Sequence, residues 1–198
     1  VGDAAGRVSA WFAARQTGPR SARAYQKVHQ LQPHQASVTT VSPSGRDKQF
    51  LSADASGTVA LHHMTSERTP FQLEVSREEV VAAAITPKAD GILVLDRTGR
   101  LFHYRLSNPH PEVTLGTLFG KVWYEGYDAP EYVWQSSGGT DEFEPKLSLV
   151  PLAFGTAKGT LYAMLFALPL AVLAAIYTSE FAGPRMRNAV KPTVELMA

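Results

Sequence analysis

Up to about Phe119, apolar residues come in short alternating runs; after Leu147 they come in one long block. Alternation with period two marks strands that are half buried on one face. The runs Val38 to Val41, Phe50 to Ser52, Val80 to Ile85 and Ile92 to Leu95 predict strands, punctuated by turn residues such as Pro43-Ser44-Gly45 and Pro87. Tyr25 to Leu31, Phe71 to Val75 and Val113 to Leu118 have the same character and predict three more. The block is different. From Gly159 to Thr178 the chain reads GTLYAMLFALPLAVLAAIYT, with no charged residue. At about 1.5 Å of rise per residue, such a run spans the roughly 30 Å hydrocarbon core of a bilayer. A buried helix in a soluble protein is the competing reading. The run is apolar all round, however, and the sequence offers no second helical segment to bury it. The pattern predicts a mainly β region followed by one transmembrane α-helix.

The β region repeats. Asp, then Gly three residues on, an aliphatic residue two further and a large ring three after that recur as Asp3-Gly6-Val8-Trp11, Asp54-Gly57-Val59-His62 and Asp96-Gly99-Leu101-Tyr104. Asp accepts backbone hydrogen bonds in a tight turn and Gly supplies positive φ. The residues after it then alternate as a strand. With the strand before each turn and the one after each ring, the period becomes four short strands in about 40–50 residues. This resembles the blade of a WD40-type β-propeller, most closely from His34 through Val38, Pro43-Ser44-Gly45, Ser52, Asp54, Gly57 and Val59. Three features depart from it. The expected Trp is present only as Trp11, Pro33 replaces the Gly before the blade histidine, and the third unit has no such histidine. The resemblance implies incomplete blades over residues 1–118. A propeller closes with four to eight blades, so these residues alone do not make a ring. It also implies that His34, Ser52 and Asp54 form a structural network, not a nucleophilic triad, and that His62 in place of Trp weakens it.

Within the apolar block, Pro169 would break a soluble helix but is tolerated in a membrane helix, where it marks a possible kink. Gly155, Gly159, Ala163, Ala167, Ala171 and Ala175 recur every four positions. Small residues at this spacing let neighbouring helices approach closely, which predicts helix packing in a bundle. Arg185, Arg187 and Lys191 follow the span, while Asp141, Glu142 and Glu144 precede it. By the positive-inside rule, residues 184–198 are expected to be cytoplasmic and the β region extracytoplasmic. Lys158 can snorkel at the outer end. Between the two parts, residues 119–146 are dense in aromatics: Trp123, Tyr124, Tyr127, Tyr132, Trp134 and Phe143. They read either as a segment along the outer interface or as an irregular linker.

Composition narrows the chemistry. Lys and Arg number 19 against 18 Asp and Glu, so no basic face is expected to take nucleic acid. No cysteine is present, which removes disulfides, cysteine nucleophiles and cysteine zinc sites. His62, His63, His103 and His110 suggest a metal only weakly, because adjacent histidines on a strand point to opposite faces. Asp141, Glu142 and Glu144 read as a solvated acidic stretch before they read as a catalytic carboxylate pair. Thr156, Thr160 and Thr178 carry hydroxyls an anion would use, but such groups more often bond their own helix. No initiator Met or signal peptide opens the sequence, and an internal stretch of a longer protein is expected.

From about Lys121 to Ala198, some 80 residues, the sequence is similar to the start of the membrane core of phosphate ABC transporter permeases of the PstC type. The specific runs are LVPLAFGT, LPLAVLAAIYTSEF and VKPTVELMA. Large-insert members of that family carry a propeller-like extracytoplasmic domain before this core. The resemblance implies a first core helix over about 156–181 within residues 147–198, in the bacterial inner membrane. It implies as partners a second permease subunit, cytoplasmic ATPase subunits, an extracytoplasmic phosphate-binding protein and membrane lipid. No nucleotide-binding motif of the G-x-x-x-x-G-K-[ST] type occurs, so ATP hydrolysis is expected on a partner, with no cofactor and no catalytic residue here. The alternative is a membrane-anchored propeller that binds a protein or peptide. A plain tether would need neither the small-residue ridge nor Pro169.

Overall fold

The computed structural model describes residues 1–15, 23–139 and 143–197. Asp141 and Glu142, read above as an acidic flank, lie outside the described residues, as does the side chain of Lys191. The chain divides into two compact units, Val1–Pro151 and Leu152–Ala198.

Strands form along the alternating runs and also at Gln49–Asp54 and Thr58–His63, where nearly every residue is buried. β1 (Ser9–Arg15) and β2 (Arg23–Gln30) make one antiparallel pair. β3 (Val38–Pro43), β4 (Gln49–Asp54), β5 (Thr58–His63) and β6 (Arg68–Glu74) make a four-stranded antiparallel sheet in sequence order. β7 (Val80–Ile85), β8 (Gly91–Asp96) and β9 (Leu101–Arg105) make a three-stranded one. Among the described residues no sheet closes on itself, and the architecture is several open antiparallel sheets. The repeat extends to irregularities: the register slips at Val38/Thr40 in β3 and again at Val80/Ala82 in β7.

The core lies between the four- and three-stranded sheets. Leu51, Ala53, Val59 and Leu61 pack with Val80, Ala83, Ile92 and Val94, all buried. Burying each large aliphatic contributes about 1.5–3 kcal/mol. Thr39 ties the two sheets by donating from Oγ1 to the Val80 carbonyl at 2.7 Å.

One expected strand is absent. Val113 to Leu118 does not pair; instead α1 (Leu115–Phe119) forms there. Thr114 caps it: its Oγ1 accepts from Thr117 N at 2.9 Å, and Thr117 Oγ1 accepts from Thr114 N at 2.8 Å. This reciprocal box satisfies two donors that a strand would have left to a neighbour. The third unit therefore lacks the fourth strand that β6 gives the second. Beyond α1, Val122 bridges Glu131, and the short strands β10 (Trp134–Gln135) and β11 (Lys146–Leu147) pair. Ser148 N donates to Val133 O at 3.0 Å and Leu149 N to Leu118 O at 2.8 Å.

In the helical part, α2 runs Val150–Ile176, a π-helical turn covers Tyr177–Phe181, and α3 runs Pro184–Met197. The helix begins at Val150, ahead of the expected Thr156, because Pro151 fits a first turn whose N–H groups have no intrahelical partner anyway. It continues through Pro169, which cannot donate to the Leu165 carbonyl. Ala182-Gly183 separates the π-turn from α3, which opens on Pro184.

Candidate functional site

Two constellations were expected to matter: the Asp-Gly turns and the long helix. In the second unit, Asp54 closes its turn by accepting at Oδ1 from Ser56 N (2.9 Å), Ser56 Oγ (2.7 Å) and Thr58 N (2.9 Å). Gly57 sits at φ +91°, and a Cβ there would stand 1.9 Å from the Ser76 carbonyl oxygen. Only glycine meets both demands.

The other carboxylate oxygen starts a buried chain. Asp54 Oδ2 lies 3.0 Å from His34 Nδ1, and His34 Nε2 lies 2.7 Å from Ser52 Oγ. Ser52 Oγ lies 2.7 Å from His62 Nε2, and His62 Nδ1 lies 2.8 Å from Thr69 Oγ1. One assignment satisfies every atom: Thr69 donates to His62, His62 to Ser52, Ser52 to His34, and His34 to Asp54. Burial pushes the His62 pKa down to about 4, with His34 adding to the effect, which keeps a lone-pair nitrogen free for Thr69. Burial alone would raise the Asp54 carboxyl, but the Ser56 hydroxyl, the Thr58 N–H and His34 outweigh it and hold it below the ordinary value. The expectation that His62 weakens the network is corrected here. Its second nitrogen extends the network onto β6, which an indole with one N–H could not do by accepting. Ser52 is fully buried, so no substrate reaches its hydroxyl, and the arrangement is structural.

The third turn repeats the backbone scheme with another lock. Asp96 Oδ1 accepts from Thr98 N (2.9 Å), Thr98 Oγ1 (2.6 Å) and Arg100 N (3.0 Å). Its Oδ2 accepts from Ser76 Oγ and from Arg100 Nε, each at 2.9 Å. Ser76 stands 42 residues after His34, the same interval as Asp96 after Asp54, so it occupies the missing histidine's place. Gly99 has φ +83° and open space around it. In the first turn Asp3 takes Arg7 Nε at 2.8 Å, and Gly6 at φ +78° again abuts a backbone oxygen, that of His34.

The apolar run is helical over Val150–Phe181, 32 residues, and none of it is buried. Gly155, Gly159, Ala163, Ala167, Ala171 and Ala175 are all exposed. At 3.6 residues per turn they wind by about 40° per step. Thr156 Oγ1 donates to Leu152 O at 2.9 Å and Thr178 Oγ1 to Ala174 O at 2.7 Å, so both hydroxyls serve their own helix. Arg187 was read only as a flanking charge. It reaches back from α3 and donates to the Thr178 and Ser179 carbonyls of the π-turn, groups left without helical donors near Pro184. A groove of about 610 Å³ runs here, lined by Ala171, Ala175, Thr178, Val190 and Val194.

The histidines do not converge. His63 bonds Ser66 at 2.8 Å and His110 bonds Glu112 at 3.2 Å, while His62 belongs to the buried chain. Among the described residues no group of three or more His, Asp or Glu is placed to hold a metal. Glu144 lies in a different setting: burial raises its carboxyl pKa. Lys146 lies with its Nζ 5.6, 5.9 and 5.1 Å from the rings of Tyr124, Tyr127 and Phe143. The density of aromatics in 120–146 was the available signal for that cage.

No family model matches this chain, and no curated protein matches it. Among solved structures it is similar to the computationally designed Ika8 protein, at 18% identity over 41% of this chain and 24% of that one, with a TM-score of 0.36. It is also similar to the computationally designed Ika4 protein, at 17% identity over 41% and 49% of the two chains, with a TM-score of 0.35. The chain thus spans less than half the length of either structure. A likeness at that level assigns neither a closed ring nor an activity.

Proposed function

We propose that this chain is part of the membrane-spanning permease subunit of a bacterial ABC importer for inorganic phosphate. The observation that carries the membrane part is the bare helical run Val150–Phe181. In water, a helical run of 32 residues, mostly apolar and nowhere buried, would have no compensating burial; in lipid it needs none. Phosphate as cargo rests on the sequence resemblance over Lys121–Ala198. In this reading the incomplete WD40-like sheets face the periplasm and α3 lies at the cytoplasmic face of the inner membrane.

The mechanism is alternating access. A periplasmic binding protein delivers the anion, and ATP hydrolysis on cytoplasmic subunits reorients two permease subunits. This chain contributes one wall of the path and no catalytic group. The small-residue ridge from Gly155 to Ala175 supports close packing against other helices, and Arg187 keeps α3 folded back on the end of the span.

The test is topology in intact cells. Lys88 and Asn188 are both exposed, and the chain has no cysteine of its own. Lys88→Cys and Asn188→Cys are placed singly in the full-length protein and treated with an impermeant thiol reagent. Labelling of Lys88→Cys alone, with Asn188→Cys labelled only after lysis, is expected. If both sites stay unlabelled until lysis, the outward placement is wrong. Outward sheets with unaltered phosphate uptake on deleting the gene would instead favour an anchored binding module.

A further inference from the structure

We infer that α1 and the strand-like stretch 131–135 form a lipid-facing surface that seats this region in the headgroup layer. The inference rests on the membrane reading of α2 and adds a second, separate contact with the bilayer.

Helix α1 was not visible in the sequence, and its outward face has no explanation in the fold. Leu115 is 78% exposed and Phe119 57% exposed. Tyr132 and Trp134 are exposed as well. The aromatic residues of this segment divide into two sets. Tyr124, Tyr127 and Phe143 turn inward around the Lys146 ammonium, which satisfies them within the protein. Tyr132 and Trp134 turn outward, with Lys121 over the Tyr132 ring at 5.7 Å.

Backbone bonds join these outward residues to the helix root. Leu149 N bonds Leu118 O at the end of α1, Ser148 N bonds Val133 O, and Trp134 pairs with Leu147. From Leu147 to the helix start at Val150 is three residues, at most about 10 Å of chain. Each interfacial layer of a bilayer is about 5–8 Å deep, so a surface tethered this closely to a spanning helix lies within reach of the headgroups. Trp, Tyr and Lys are the residues that suit that layer, because each joins an apolar body to a polar tip. Leu115 and Phe119 supply the apolar residues that dip towards the acyl boundary.

The test uses full-length protein in nanodiscs of phosphatidylethanolamine and phosphatidylglycerol with brominated acyl chains. Single cysteines carrying bimane are placed at Phe119→Cys, Leu115→Cys, Leu165→Cys within the span, and Lys88→Cys as a soluble reference. Loss of most bimane emission at Leu165, Phe119 and Leu115, with none at Lys88, is the expected result. Quenching at Leu165 with none at either α1 site overturns the surface and leaves the spanning helix standing. No quenching at Leu165 overturns the membrane reading and the surface with it.

Discussion

The turns at Asp54 and Asp96 have the same backbone and opposite locks. In both, one carboxylate oxygen gathers the amide and hydroxyl two residues on and the amide four residues on, and glycine takes the left-handed position. The second oxygen differs. At Asp54 it enters a buried chain of His34, Ser52, His62 and Thr69. At Asp96 it is held by Ser76 and by Arg100, whose side chain is 59% exposed. The turn therefore comes from local chemistry, while its attachment to the sheet is free to vary. An inward lock should be sensitive to packing and pH. An outward lock should be sensitive to salt.

The sharpest way to break the comparison is at the glycines. Gly57→Ala must adopt positive φ and also displace the Ser76 carbonyl, 1.9 Å from the new Cβ. A loss of at least about 3 kcal/mol is expected, because backbone cannot yield as a side-chain tip can. Gly99→Ala meets no atom within 4 Å and should cost only the left-handed strain, about 1–2 kcal/mol. Hydrogen exchange at the β4 and β8 amides of each variant measures the difference. Equal losses would show that the close approach at Gly57 is soft.

Titration separates the locks. Unfolded His62 takes a proton near its ordinary 6.5, but folded His62 does not until about 4. The folded state therefore loses stability as pH falls from 6.5 to 4, by up to about 3 kcal/mol for that one group, and no further below. His63, also lowered by burial, acts in the same direction. Glu144 opposes both: its raised carboxyl pKa means the folded state gains as it is protonated. Asp54 and Asp96 both titrate below the ordinary carboxylate value, so their contributions fade only at more acid pH. Denaturant unfolding of His62→Gln across this range should show a flatter slope than the parent between pH 6.5 and 4. An unchanged slope would place the proton uptake elsewhere.

The legible parts of this molecule were those set by neighbours in sequence. Asp54 with Gly57 announces its turn because every bond that shapes the turn lies within four residues. The apolar block from Gly159 to Thr178 announces a spanning helix by composition alone. What depends on cross-strand register was not legible. His62 looked like a lost tryptophan because its partner Ser52 is ten residues away, on the facing strand. Ser76 carries no local sign of replacing the missing histidine, because its partner Asp96 lies 20 residues on. Val113 to Leu118 alternates like a strand, yet Thr114 and Thr117, three apart, carry the capping chemistry that favours a helix. Arg187 was read as a flanking charge, and only the π-turn before Pro184 gives its guanidinium carbonyls to hold.

The smallest expected effect tests the outward lock. In Arg100→Ala the buried Asp96 carboxylate keeps Ser76 Oγ, Thr98 Oγ1 and the amides of Thr98 and Arg100. It is not left bare, so the large penalty of an unpaired buried charge does not apply. What disappears is a partly solvated ion pair, the guanidinium's hydrogen bonds to Thr98 Oγ1 and Ser76 Oγ, and its contact with Phe102, 5.8 Å from the ring centroid. About 1 kcal/mol or less is expected at low salt, and the gap between parent and variant should narrow as salt rises, since the Debye length falls to about 3 Å at 1 M. Asp54 has no such exposed partner, so the effect of Ser52→Ala should be larger and indifferent to salt. A salt-independent loss of several kcal/mol in Arg100→Ala would mean that Arg100 is a packed part of the turn, and the two locks would then differ in residue type but not in kind.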